Sequence, residues 1–306
     1  MLEVNLLTAI LAALVLFLFA LQSLGHELEL KFKTQLKTLL EKATKYPVGG
    51  IFAGIFGTGI IQSSTAVSVL CVSLVSGGIL SLGQAITILM GSNIGTTLTA
   101  QLVAMKVSNA APFLLVLGYF VNFLPGKAGV WGKPIFYFGL LFFGLNMLSD
   151  VLGQFQHHPL VREYLLSDIS PYWGLFVGII LTILLQSSSI TSGLVVVFAS
   201  EGLLQLDVAI PILIGANVGT TTTAILASFT LGVDARRTAI ANFMINLAGL
   251  IIFLPFMSFF TNAIESLDLD ISHKVANAHL AFNVITVVII FPFRLKLANF
   301  LIRRIK

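Results

Sequence analysis

Charge is what this sequence has least of. Its 306 residues include 17 Lys or Arg and 13 Asp or Glu, 10% in all, against 57% hydrophobic. Soluble domains carry about 25% charged residues, so this chain cannot cover a water-facing surface. That excludes a soluble enzyme and a nucleic-acid binder, and the net charge of +4 belongs to membrane topology before it belongs to any polyanion. Cysteine is nearly absent as well. The single Cys71 permits no intrachain disulfide, excludes a disulfide-stapled secreted scaffold, and sits in an apolar run as a small packing residue. The first apolar run, Leu6 to Leu21, lacks the basic flank of a secretory signal, with only Glu3 before it, and reads as a retained membrane span. No Lys or Arg falls in the middle of an apolar run, and the acids, Asp150, Glu201 and Asp207 among them, fall near the ends.

What the sequence has is apolar length, at a mean hydropathy of +1.00. Stretches of ~20 residues cross a ~30 Å hydrocarbon core, which predicts spans near 6–24, 81–105, 110–125, 134–150, 206–229, 238–260 and 275–293. Residues 47–79 and 171–203 do not fit that template: as single helices they would reach ~50 Å. Each opens on a proline, Pro47 or Pro171, and is interrupted by a polar cluster, Gln62 to Thr65 or Gln186 to Ser189. Two half-depth arms meeting at the cluster make a re-entrant hairpin the economical reading, with a kinked crossing as the alternative. Between the first span and the first hairpin, Leu28, Phe32, Leu36, Leu39 and Ala43 recur at helical spacing opposite five lysines, which predicts an interfacial helix on the cytoplasmic leaflet. Its weaker counterpart around Phe155 to Ile169 carries His157 and His158, read as solvated loop residues rather than metal ligands.

The chain also repeats itself. An offset of 124 carries Gln62 onto Gln186, Gly91 onto Gly215, Thr99 onto Thr223 and Asn122 onto Asn246. If the hairpins return to their own side, each unit crosses three times, and an odd number turns the second copy upside down. The expected fold is an all-α polytopic membrane protein of two inverted repeats, each with a re-entrant hairpin and a broken span, plus a final C-terminal span. Its divisions are 1–130, 131–260, and 261–306 with a basic tail, all in one membrane domain. With the N-terminus outside, Lys31, Lys33, Lys37, Lys42, Lys45, Lys127, Lys133, Arg236, Arg237, Arg294, Lys296, Arg303, Arg304 and Lys306 share the cytoplasmic side, leaving Lys106, Arg162 and Lys274 outside. Counting each hairpin as one crossing sorts as many basic residues inside, so charge orients the ends and hairpin length decides the middle. The expected location is a bacterial inner membrane with a cytoplasmic C-terminus.

Four neutral polar clusters sit where the membrane is driest: the two hairpin tips, and Asn93 to Thr97 with Asn217 to Thr221. Glycines 91, 95, 215 and 219 flank the asparagines and predict points where the helices unwind around a cavity. The candidate site is therefore Gln62, Ser63, Ser64, Thr65, Asn93, Thr96 and Thr97 with Gln186, Ser187, Ser188, Ser189, Asn217, Thr220 and Thr221. Their hydroxyl and amide groups donate to an oxyanion and accept around a hard cation such as Na⁺, and helix N-termini after the tips favour anions. An anion without a fixed cationic partner is costly in low dielectric, which favours co-binding of a mobile cation. Proton coupling calls for a buried acid or histidine. His279 is the exception in the last span, read as a hydrogen-bonded packing residue. A serine nucleophile would need a base, and neither tip has one in local sequence, so no enzyme is expected.

QSSTAVSVL followed by GSNIGTT, and QSSSITSGLVVVFAS followed by GANVGTTTTA, resemble the type II sodium-dependent phosphate cotransporters and their bacterial relatives over nearly the whole chain. The resemblance implies sodium-driven uptake of inorganic phosphate by alternating access, with both QSS regions in the substrate path and Na⁺ at a subset of the same residues. No cofactor beyond Na⁺ is expected, and the partners are phosphate, Na⁺ and the lipid bilayer, with a homodimer left open. Thr65 stands where the family often has a third serine, which keeps the hydroxyl. The large disulfide-bearing loop of the animal members is missing. A passive anion channel and a symporter for another small oxyanion are the alternatives.

Overall fold

The computed structural model describes residues 2–44, 46–105, 110–154, 170–230 and 232–306, with backbone alone for 2–6. Every regular element among them is helical. Residues 155–169, expected to be a loop with two histidines, lie outside the described residues. Thirteen α-helices follow in order: α1 Leu2–Ala43, α2 Pro47–Ile61, α3 Ser64–Ser76, α4 Leu82–Ala104, α5 Ala111–Val121, α6 Gly132–Gly153, α7 Pro171–Leu185, α8 Ser188–Ser200, α9 Leu206–Ser228, α10 Val233–Phe253, α11 Met257–Glu265, α12 Ile271–Ile290 and α13 Arg294–Arg304. Among the described residues, five helical stretches are long and apolar enough to cross a membrane: Leu7–Ala43, Gly129–Gly153, Leu206–Ser228, Val233–Glu265 and Ile271–Arg304.

Three expectations need correction. α1 runs unbroken for 42 residues, about 63 Å of helix, so the predicted interfacial helix is the second half of the first span. Of its predicted apolar stripe, Leu36 is buried against protein among Ala53, Ile61, Val67 and Cys71, with Leu40 beside it, whereas Leu39 is exposed. The expected span at 110–125 is the 11-residue α5, about 16 Å long and too short to cross alone.

The third correction concerns the predicted breaks. α4 and α9 are continuous helices through Gly91–Thr97 and Gly215–Thr221. Their glycines serve close packing: a Cβ on Gly91 would fall on the carbonyl oxygen of Ile51 in α2, and one on Gly215 would fall on that of Leu175 in α7. Each hairpin's first arm thus lies backbone to backbone against the long helix of its own unit, running in the same direction, with Gly50 against Thr87 and Gly59 against Leu98. A buried hydroxyl pair, Thr58 with Ser92 at 2.7 Å, closes the first of these contacts.

The breaks expected at the polar clusters are present, and the residues there explain them. Proline at the first position starts α2 and α7, where its missing N–H costs nothing. Gln62 and Gln186 end those helices in the left-handed region, with φ of 58° and 55°, and among the described residues no other non-glycine has positive φ. Ser63 and Ser187 then cap α3 and α8, their hydroxyls accepting from the backbone N–H of Ala66 and Ile190. Across the second break, Thr182 and Thr191 hydroxyls meet at 2.8 Å. Nine residues of continuous helix would hold them about 13 Å apart, so the chain doubles back at Gln186.

Candidate functional site

Gln-Ser-Ser is a stop, a cap and a first turn. Gln62 Nε2 donates to the Gly59 carbonyl at 2.5 Å while its Oε1 accepts from Thr99 Oγ1 at 2.8 Å, which ties the tip to α4. The left-handed backbone costs about 1 kcal/mol for a residue with a Cβ, and these side-chain bonds offset it. Ser64 and Ser188 are the first residues of the returning helices and are buried. The N–H groups of such a first turn have no intrahelical carbonyl to bond.

The two tips converge on one cavity of about 470 Å³. Gln62, Ser63, Ser64 and Thr65 line one side, and Gln186, Ser187 and Ser189 line the other. Ser188, the neighbour of two lining residues, is 3% exposed and is not itself in the lining. The remaining wall comes from α1 through Gln22, Gly25, His26 and Glu29. The sequence reading missed these four, although positions 22, 25, 26 and 29 form one polar helical face.

The other candidate residues lie elsewhere. Thr96, Thr97, Thr220 and Thr221 donate to carbonyls of their own helices, those of Ser92, Ile94, Ala216 and Val218. Asn93 and Asn217 reach across to other helices: Asn93 Nδ2 donates to Asn246 Oδ1 at 3.2 Å, and Asn217 Nδ2 donates to Asn283 Oδ1 at 2.9 Å. His279 is buried with Nε2 3.1 Å from Asn217 Oδ1 and with no hydrogen-bond partner at Nδ1. These two clamps match in detail. Asn246 donates to the Asn242 carbonyl and Asn283 to the His279 carbonyl. An offset of 37 carries Asn242, Asn246, Pro255 and Phe256 onto His279, Asn283, Pro292 and Phe293, a second repeat that the reading by 124 passed over. α10 clamps α4 as α12 clamps α9.

Bundled apolar helices enclosing a cavity of neutral hydrogen-bonding tips define a polytopic membrane protein of the transporter class. The chain belongs to the Na⁺/Pi-cotransporter family, whose model matches residues 16–150 and 161–289. Among relatives, the uncharacterized protein YqeW of Bacillus subtilis is 30% identical over 92% of each chain. YjbB of Salmonella typhimurium, whose name proposes inorganic phosphate export, is 27% identical over 90% of this chain, which spans about half of YjbB's length. The mouse sodium-dependent phosphate transport protein 2C is 40% identical over 88 residues, 28% of this chain and 15% of that one. No solved structure matches significantly.

Proposed function

We propose that this chain is a secondary active carrier that moves inorganic phosphate together with Na⁺ by alternating access, holding the anion between the Gln62–Thr65 and Gln186–Ser189 tips. The observation that carries the reading is the single cavity lined by both tips. Serine hydroxyls, glutamine amides and the first-turn N–H groups of α3 and α8 supply donors for an oxyanion. The cavity lining has no Lys or Arg and includes Glu29, so the anion's charge calls for a mobile cation.

The two hairpins are read as re-entrant and inverted. In support, Gln84 at the start of α4 donates to the Thr44 carbonyl beside the base of the first hairpin. Val103 at the other end of α4 shares a cavity with Ser200 and Glu201 at the base of the second. Bases at opposite ends of one helix, with tips that meet, are what inverted half-depth hairpins require. The termini follow the basic residues, with the N-terminus outside and the C-terminus cytoplasmic in a bacterial inner membrane.

Uptake is the direction a sodium gradient imposes on such a symporter. Export is the second reading, favoured by the resemblance to YjbB across 90% of this chain. Radiolabelled phosphate flux in proteoliposomes tests both, with the Na⁺ gradient imposed in either direction, K⁺ or choline as replacement, and sulfate and arsenate as competitors. Accumulation against a phosphate gradient is expected with Na⁺ alone. Flux that only dissipates a gradient would identify a passive anion pore. Ser64→Ala and Ser188→Ala are each expected to lower sodium-dependent flux about tenfold or more, the worth of a charge-assisted hydrogen bond, at undiminished membrane expression. Wild-type flux in both variants would remove the tips from the site.

A further inference from the structure

A second cavity, of about 400 Å³, lies between the ends of α4, α6, α8 and α12. One of its walls is related to a wall of the first by the repeat. Leu21, Gln22, Gly25 and His26 of α1 line the tip cavity, and their counterparts at the 124 offset, Leu145, Asn146, Ser149 and Asp150 of α6, line this one. The chemistry has changed in the copy. Asp150 stands where the first unit has His26, and Gly153 stands where it has Glu29. The missing carboxylate is restored from another helix: Glu201 enters the cavity with Oε2 3.5 Å from where a Cβ on Gly153 would sit. The lining thus carries two carboxylates and no Lys, Arg or His.

A buried hydroxyl completes it. Ser272, in the first turn of α12, lines the cavity at 1% exposure, and its Oγ has no hydrogen-bond partner. Such a group costs about 1–3 kcal/mol unless something bonds to it. The last turn of α6 and the end of α8 bring two helix C-termini to the same place, whose dipole ends favour cations, against the single N-terminus of α12. Among the described residues, no three His, Cys, Asp or Glu side chains gather as a metal site. Two carboxylates with hydroxyl oxygens make an all-oxygen donor set suited to a hard cation rather than a soft transition metal.

We propose that this cavity is a cation site that takes Na⁺, with Asp150 and Glu201 as its charged ligands and the Ser200 and Ser272 hydroxyls completing it. Its place at the outer mouth of the carrier rests on the orientation proposed above; the binding itself does not. The site is at the far end of α4 from the base of the first hairpin, so a cation held there is gathered ahead of the tips rather than between them.

The test is labelling of Ser149→Cys, on the cavity wall beside Asp150, in a Cys71→Ala background of the full chain in liposomes, with a small cationic thiol reagent. Na⁺ is expected to slow the labelling relative to K⁺. Asp150→Asn and Glu201→Gln are each expected to raise the Na⁺ concentration for half-protection by about tenfold. Ser272→Ala, which removes only the buried hydroxyl, shifts it in the same direction. Ser188→Ala at the tip loses phosphate flux yet keeps the protection. Equal labelling in Na⁺ and K⁺ overturns the site, as does protection that survives in the Asp150→Asn, Glu201→Gln double variant. Protection that persists where phosphate flux proves sodium-independent upholds the cation site and overturns the carrier reading instead.

Discussion

At the scale of single residues, the two units solve one packing problem with different side chains. Thr58 and Thr182 occupy equivalent places in α2 and α7, and both bury a hydroxyl. In the first unit Ser92 of α4 receives it. The second unit has Ala216 at that position, and the partner is Thr191 of α8 instead, where the first unit has Val67. The paired changes Ser92/Val67 and Ala216/Thr191 keep each hydroxyl satisfied. Thr191 Oγ1 also donates to the Ser187 carbonyl at 3.2 Å, so its single proton is committed and Thr182 is the donor between them. Thr191→Val therefore strands the Thr182 donor and is expected to cost about 1–3 kcal/mol, whereas Thr182→Val leaves the Thr191 bond in place and costs about 0.5–1.5 kcal/mol. Thermal unfolding in detergent of the two single variants and the double variant checks the order. A double variant no worse than Thr191→Val confirms a coupled pair.

At the scale of helices, the glycines of α4 and α9 separate two accounts of the same residues. If Gly91 marked an unwinding point, alanine would favour the helix by about 1 kcal/mol and stabilise the protein. With α2 packed against it, a methyl at Gly91 meets the Ile51 carbonyl and must push the first hairpin arm away, a cost of about 1–3 kcal/mol or more. Gly91→Ala and Gly215→Ala are expected to lower the thermal midpoint, and a raised midpoint would restore the broken-helix account. The sequence could not decide this, because a glycine beside Asn and Thr reads equally as a weak point or a close contact until its neighbour is known. The same ambiguity hid the fate of α1: the stripe through Phe32 and Leu36 states that one face is covered but not whether lipid or protein covers it. The tips were legible because Gln-Ser-Ser carries its own stop and cap in consecutive residues. The α1 wall of the cavity was not, since Gln22, His26 and Glu29 sit at the join of two segments that were read as separate helices.

At the scale of the whole molecule, the arrangement makes a statement about sidedness that neither unit makes alone. Ser81 and Gln205 are repeat mates: each is exposed, each precedes the long helix of its unit, and each follows the returning arm of a hairpin. Were the units related by simple translation across the membrane, both would face the same compartment. The structure gives the two hairpins bases at opposite ends of α4, since Gln84 reaches Thr44 at one end while Val103 lies with Ser200 and Glu201 at the other. α4 has 23 residues, about 34 Å of helix, comparable to the hydrocarbon thickness of a bilayer. If the two units are inverted as proposed, mates that far apart along α4 face different compartments. In a Cys71→Ala background, Ser81→Cys is therefore expected to react with a membrane-impermeant thiol reagent from the cytoplasmic side and Gln205→Cys from the outer side. Replacing Ser81 removes a capping box and costs about 1 kcal/mol, small enough that labelling in right-side-out and inverted vesicles remains readable. Reaction of both positions from the same side would rule out inversion of the two units, and with it a carrier that opens its shared cavity alternately by exchanging the roles of two equivalent hairpins.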